Sequence, residues 1–258
     1  MFHVSIASIS LFLHSSVERI LMFLRWENLV TGFAKSNPLN QPFSGEISEP
    51  GLYAILGPNG CGKSTLMRTW IGLMNPLSGT SQIEHCNCKH SRNDTPCLGY
   101  VPQFHRVNPH FSITVRDLVR QGLGRTVDGE GLARVEKLLL EWDIMGDAGR
   151  PFHELSMGQK TRALVARALV SQPKLIFMDE PLASLDAHCQ NVLINALKDL
   201  VNRTQICVLI IDHHLEHHSD LLDGYFIFQR EHYLDVCTIA FSRDRGTPIH
   251  TEGSDLEC

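Results

Sequence analysis

Leu52-Tyr-Ala-Ile-Leu-Gly57-Pro-Asn-Gly-Cys-Gly-Lys-Ser-Thr65 reads as one unit: an apolar strand, a glycine-rich turn and the first residues of a helix beginning near Lys63. Gly57 followed by Gly62-Lys63-Ser64 has the spacing of a P-loop, and it stands in the strand-to-helix context that such a loop requires. Gly57, Gly60 and Gly62 let the backbone through Pro58, Asn59 and Cys61 curl so that successive N–H groups face an anion. The helix start at Lys63, Ser64 and Thr65 adds its own partial positive charge. Lys63 neutralises phosphate oxygens and Ser64 is placed to ligate Mg²⁺. The expected ligand is a nucleoside triphosphate with its magnesium ion.

A second segment completes that site. Leu175-Ile-Phe-Met-Asp179-Glu180 is an apolar strand that delivers two carboxylates to its C-terminal end, where open α/β sheets bind ligands. Asp179 is expected to hold Mg²⁺ through its water shell, and Glu180 to polarise the attacking water. Two adjacent acids alone read as a solvated strand end; with the P-loop they acquire a role.

Outward from these motifs the pattern is α/β. The strands Leu52–Leu56, Lys174–Asp179 and Ile206–Ile211 are short apolar runs, each followed by a turn and a helical pattern, which argues for a largely parallel sheet covered on both faces. Thr114–Leu123 and Gly131–Trp142 carry apolar residues at helical spacing and predict a helical subdomain over about 104–158. Leu24-Arg-Trp-Glu-Asn-Leu29 reads as the first strand, Tyr225–Val236 as a hairpin, and the chain after Ser242 as a polar tail.

Composition narrows the function. The 258 residues are 43% hydrophobic and 20% charged, enough for a substantial core. A net charge of −5 with scattered basic residues lacks the electrostatic footprint of a nucleic-acid binder. The eight cysteines, in a chain of this length, fit reduced thiols better than a disulfide framework. Val4–Leu13 is apolar, but it has no basic stretch before it and no small-residue cleavage site after it. Translation from Met22 is the plainer expectation, leaving 1–21 as an extension without a defined role. No other apolar run approaches the roughly 20 residues of a membrane helix, so membrane association is expected through a partner.

Leu155-Ser156-Met157-Gly158-Gln159-Lys160, placed before the Asp-Glu strand, resembles the signature of the ABC ATPase family, and the resemblance extends from about Leu24 to Val236. It implies a P-loop core with an N-terminal antiparallel β portion and a helical subdomain, all within an ATPase domain at 22–241, followed by a tail at 242–258. By this resemblance Ser156, Gly158 and Gln159 contact the γ-phosphate of ATP bound to a second copy, and Ser184-Leu185-Asp186 forms the contact loop between copies. Gln103 resembles the glutamine that senses Mg²⁺ and water, His213 the switch histidine, and Phe33 the aromatic that stacks on adenine. The implied partners are a second copy, a membrane permease and an extracytoplasmic solute-binding protein, with the chain peripheral on the cytoplasmic face of the inner membrane.

Three departures accompany the resemblance. Met157 replaces a glycine, and Asp212 and His214 flank His213 where a small polar residue and an aspartate are commoner. His213 is favoured because the apolar strand ends at Ile211 and Leu215 is read as the start of the next helix. For the solute, Gly99-Tyr-Val-Pro-Gln-Phe-His and Phe111-Ser-Ile-Thr-Val-Arg-Asp-Leu118 are similar to ATPases of manganese, zinc and iron uptake systems. The alternatives are an importer of a siderophore or another solute, an exporter, or a soluble ABC ATPase outside transport. His85-Cys-Asn-Cys88-Lys-His90 has metal-ligand residue types but reads as a variable surface hairpin, and His217 and His218 as an exposed helix start.

Overall fold

The computed structural model describes residues 23–34, 36–84, 98–103, 113–124, 127–230 and 236–243. The extension at 1–21, the stretch His85–Cys97 and the tail after Arg243 lie outside the described residues.

Three strands, β1 (Phe23–Val30), β4 (Phe43–Ile47) and β6 (Ser78–Glu84), form an antiparallel sheet with β1 in the centre. A small hairpin, β2 (Gly32–Ala34) with β3 (Asn37–Pro38), projects between β1 and β4 in sequence. The larger sheet has the order β11-β10-β5-β9-β8-β7, built from β5 (Gly51–Leu56), β7 (Leu98–Val101), β8 (Leu175–Asp179), β9 (Cys207–Ile211), β10 (Gly224–Arg230) and β11 (Cys237–Ser242). All its neighbours are parallel except β10 and β11. The three sequence-predicted core strands are therefore found within a residue of their expected bounds.

Alternation along these strands divides the core into two layers. Leu52, Ala54 and Leu56 of β5, Ile176 and Met178 of β8, and Val208 and Ile210 of β9 pack with the helices. Those are α2 (Val115–Gln121), α3 (Gly129–Glu141), α4 (Met157–Leu169) and α5 (Ala187–Thr204). The intervening Tyr53, Ile55, Phe177 and Leu209 pack with α1 (Lys63–Trp70) and the antiparallel sheet, around Leu24, Trp26, Leu66 and Trp70. Burial on both faces is why these strands read as unbroken apolar runs.

Two expectations are corrected. The C-terminal hairpin runs beyond Tyr225–Val236: its second strand is β11, paired from Arg230↔Cys237 to Tyr225↔Ser242. Arg230 and Cys237 close the pairing, so the predicted end at Val236 fell inside the connection. The element after β9 is a pair of 3-10 turns over His213–Leu221, separated by a kink at His218 (φ −124°, ψ 26°), so it opens two residues before Leu215. The helices α2 and α3, with 3-10 turns at Met145–Asp147 and Phe152–Glu154, occupy the described part of 104–158.

Candidate functional site

Strand register sets the site. Ile55 pairs with Ile211, Ile211 with Asp179, and Val101 with Met178, so β5, β9, β8 and β7 end on one edge of the sheet. Gly57, Asp212, Glu180 and Gln103 follow those ends closely in sequence.

At the first end the loop turns through three positive-φ glycines, Gly57 (138°), Gly60 (77°) and Gly62 (104°). Gly57 is also a point of close approach: a Cβ there would lie 2.7 Å from the Phe228 Cβ and 2.9 Å from its carbonyl oxygen. Gly62 caps α1 without a side-chain hydrogen bond, and no acidic residue occupies the first turn, which leaves the helix start suited to an anion. Lys63 is buried, and its Nζ donates to the carbonyls of Gly57 and Pro58 at 2.8 Å each. The ammonium therefore spans the loop it belongs to. Burial pushes the Cys61 thiol up to about 11, with the Lys63 ammonium acting against that shift. Cys61 is thus a protonated packing residue and not a nucleophile.

Ser64, in the first turn of α1, donates its hydroxyl to Asp179 Oδ1 at 3.0 Å, joining the P-loop to the end of β8. Asp179 is buried. Glu180 has left its strand with φ of 48°, its N–H bonded to the Ile211 carbonyl at 2.8 Å, and its carboxylate accepts a hydrogen bond from Gln103 Nε2. The structure thus brings together Lys63, Ser64, Asp179, Glu180 and Gln103.

The 155–160 motif begins α4. Ser156 and Gln159 form a reciprocal capping box: Ser156 N–H donates to Gln159 Oε1 at 2.9 Å and Gln159 N–H to Ser156 Oγ at 3.3 Å. Gln159 Nε2 also donates to Asp147 Oδ2 at 2.7 Å, and the other oxygen of Asp147 takes Arg150 Nη1 at 2.7 Å. The stretch around Arg150 is tied to the start of α2, since Val115 N–H reaches the Arg150 carbonyl, Arg116 N–H that of Ala148, and Phe152 N–H that of Ile113. Met157 is half-buried and lines a small cleft with Gln103, Glu180 and Ser184 of its own chain. Gly158 faces α5, where an added Cβ would touch Cys189 Sγ at 3.9 Å.

Asp186 caps α5 by accepting the Cys189 N–H at 2.8 Å, and that hydrogen bond lowers its carboxyl below the usual range. Phe33, on β2, is 72% exposed, an unusual state for a phenylalanine. Its hairpin leads to Leu39, whose side chain lies against Gly62. His213 opens the first of the 3-10 turns, but its side chain lies outside the described residues.

Three partners escaped the sequence reading. Asp147 and Arg150 support Gln159 from a turn with no motif of its own. Buried Asn40 accepts the Thr31 N–H at 2.8 Å and donates to the Leu29 carbonyl at 2.9 Å, pinning the Phe33 hairpin to β1. An asparagine between Pro38 and Pro42, too short of room for a free loop, was the available signal.

Among the described residues no helix is long and apolar enough to cross a membrane. A family model described as ABC transporter matches residues 41–183, more than half of the chain. The manganese transport system ATP-binding protein of Bacillus subtilis is 32% identical over 203 residues, covering 76% of this chain and 79% of that protein. The sulfate/thiosulfate import ATP-binding protein of Gloeobacter violaceus is 31% identical, over 72% of this chain but only 54% of its own length. Among solved structures, a chain of an ABC transporter in an inward-facing conformation superposes with a TM-score of 0.71 at 25% identity, covering 86% of this chain and 83% of that one. With the family model and a relative above 30% identity agreeing along most of the chain, this protein belongs to the ABC transporter family as an ATP-binding subunit, an ATPase.

Proposed function

We propose that two copies of this chain close on ATP and Mg²⁺, and that the hydrolysis they carry out drives a separate membrane permease importing a metal ion. The convergence of Lys63, the Ser64–Asp179 pair and the Gln103–Glu180 pair on one sheet edge carries this reading.

The Ser64 hydroxyl and the Asp179 carboxylate are hard oxygen donors already side by side, the set that suits magnesium, with Gln103 close by through Glu180. When bound there the ion supplies neutralisation of phosphate charge. Lys63 and the N–H groups of Gly60 to Thr65 hold the phosphates, and Glu180 orients and deprotonates the attacking water. His213 stabilises the charge that develops, and exposed Phe33 stacks on the adenine. Ser156, Gly158 and Gln159, with Asp186 in the contact loop, complete the site of the second copy, for which the N-terminus of α4 is capped but not covered by an acidic side chain. The helices of 104–158 form the arm that meets the permease on the cytoplasmic face of the membrane, an importer of this kind being served by an extracytoplasmic solute-binding protein.

Metal import rests on the resemblance around Gly99–Gln103 and Phe111–Leu118 and on the manganese relative; the sulfate relative marks the rival solute. Glu180→Gln tests the reading. The amide keeps the shape and loses the base, so ATP binding is expected to persist while most hydrolysis disappears and the closed dimer lives longer. Hydrolysis at the parental rate refutes the assignment. In cells carrying the variant in place of the parent, uptake of manganese, zinc or iron is expected to fall with sulfate uptake unchanged; the reverse result assigns the other solute.

A further inference from the structure

Asp212 is fully buried at the end of β9, directly before His213. Its Oδ2 accepts the backbone N–H of Leu182 at 2.8 Å, and the preceding Ile211 carbonyl accepts that of Glu180, also at 2.8 Å. Two consecutive residues of one strand end thus hold two alternate N–H groups of the segment that carries Glu180. On its other side the same segment is held by Gln190 of α5, whose Nε2 donates to the carbonyls of Leu182 at 3.3 Å and Leu185 at 3.0 Å. The arrangement has something to hold, because Glu180 sits at φ of 48°, a left-handed conformation that a glutamate abandons unless its neighbours fix it.

We propose that Asp212 is a positioning residue for hydrolysis: its carboxylate locks the Glu180 segment to the end of β9, so that the base keeps one placement at the edge of the sheet. The proposal rests on the reading of Glu180 given above. Its physical content is a matter of reach. A serine or threonine hydroxyl stands one bond from Cβ, whereas the carboxylate oxygen stands two bonds away and spans to the Leu182 N–H. A carboxylate taken wholly out of water is costly unless donors meet it, so its presence here makes that contact hard to relinquish. Releasing Leu182 leaves the Ile211 carbonyl as the remaining backbone tie from the end of β9 to the left-handed Glu180 segment, with Gln190 and Gln103 holding it from other elements, and the Glu180 carboxylate then samples positions away from the reacting water more often.

Asp212→Asn keeps an oxygen acceptor and removes the charge; Asp212→Ala removes both. For Asp212→Ala, kcat is expected to fall about tenfold to a hundredfold, the rate equivalent of one lost buried acceptor, with ATP affinity by calorimetry within roughly twofold of the parent. Asp212→Asn is expected to recover kcat to within roughly threefold, and amide exchange at Leu182 to be slow in the parent and in Asp212→Asn and fast in Asp212→Ala. A parental kcat in Asp212→Ala, a loss of ATP affinity matching the loss of rate, or an Asp212→Asn variant slowed tenfold or more overturns the proposal. If Asp212→Ala does not fold, Asp212→Ser takes its place: its hydroxyl lacks the reach to the Leu182 N–H, so the same loss of kcat and fast Leu182 exchange are expected, and a parental kcat overturns the proposal. Glu180→Gln run in parallel separates the two layers: if it hydrolyses ATP at the parental rate, the assignment of the base has failed, whatever the Asp212 variants do.

Discussion

Replacing Gly57 with alanine puts the P-loop geometry to a quantitative test. The added methyl would meet the Phe228 Cβ at 2.7 Å and the Phe228 carbonyl oxygen at 2.9 Å, in a backbone held at φ of 138°. The carbonyl belongs to β10 inside the main sheet, so the overlap cannot be relieved by a side-chain rotation. Forced φ costs about 1–3 kcal/mol and overpacking about as much again, together roughly 2–6 kcal/mol. The loop escapes most of this only by moving off β10, and it then misaims the N–H groups that hold phosphate. ATP affinity is expected to fall at least about thirtyfold, the equivalent of roughly 2 kcal/mol. Gly60→Ala is the control. Its φ is 77° but nothing lies within 4 Å of the new methyl, so only the conformational cost of about 1–2 kcal/mol applies. Calorimetric ATP titration and urea unfolding of the three proteins measure both effects. Parental ATP affinity in Gly57→Ala, or equal losses in the two variants, would refute the argument.

Lys63→Ala removes the buried ammonium that spans the Gly57 and Pro58 carbonyls and is expected to abolish tight ATP binding; unchanged affinity counts against the phosphate site. Met157→Gly clears a half-buried side chain from the cleft beside Glu180 and bares the start of α4, and is expected to raise ATPase activity at limiting ATP despite about 1 kcal/mol of lost helix propensity. A rate no faster than the parent shows that the methionine makes a productive contact. Asp223→Ala strands the Leu52 N–H and the Lys198 ammonium, which Asp223 Oδ2 accepts at 2.9 and 2.7 Å, and is expected to cost about 2–4 kcal/mol in urea unfolding; a loss under about 1 kcal/mol would show that water replaces the carboxylate at no great cost.

What could be read in the chain follows the range of the forces involved. The P-loop, the Asp179-Glu180 strand and the Ser156 cap are local devices, written in consecutive residues, and each is found where its pattern put it. The hairpin expected over Tyr225–Val236 leaves out β11 because Cys237–Ser242 alternates buried and exposed positions only weakly, and its identity as a strand comes from pairing with β10. Likewise the 3-10 turns start at His213 because Asp212 turns inward at the end of β9; a run of polar residues after an apolar strand gives no sign of which one is buried. Asp147 belongs to the same class. Its partner is twelve residues away, and an aspartate in a turn carries no mark of its occupation.

The ties between the start of α2 and the start of α4 run through consecutive hydrogen bonds. Ile113, Val115 and Arg116 are bonded to the backbone at 148–152, Arg150 to Asp147, and Asp147 to Gln159, which in turn closes on Ser156. Each link is a backbone hydrogen bond or one made by a single side chain. The start of α2 and the start of α4 thus belong to one hydrogen-bonded frame, although more than forty residues separate them in the chain. Asp147 is the side-chain pin of that frame, and the backbone bond from Phe152 to Ile113 and the packing of α2 on α4 hold its two ends together beside it.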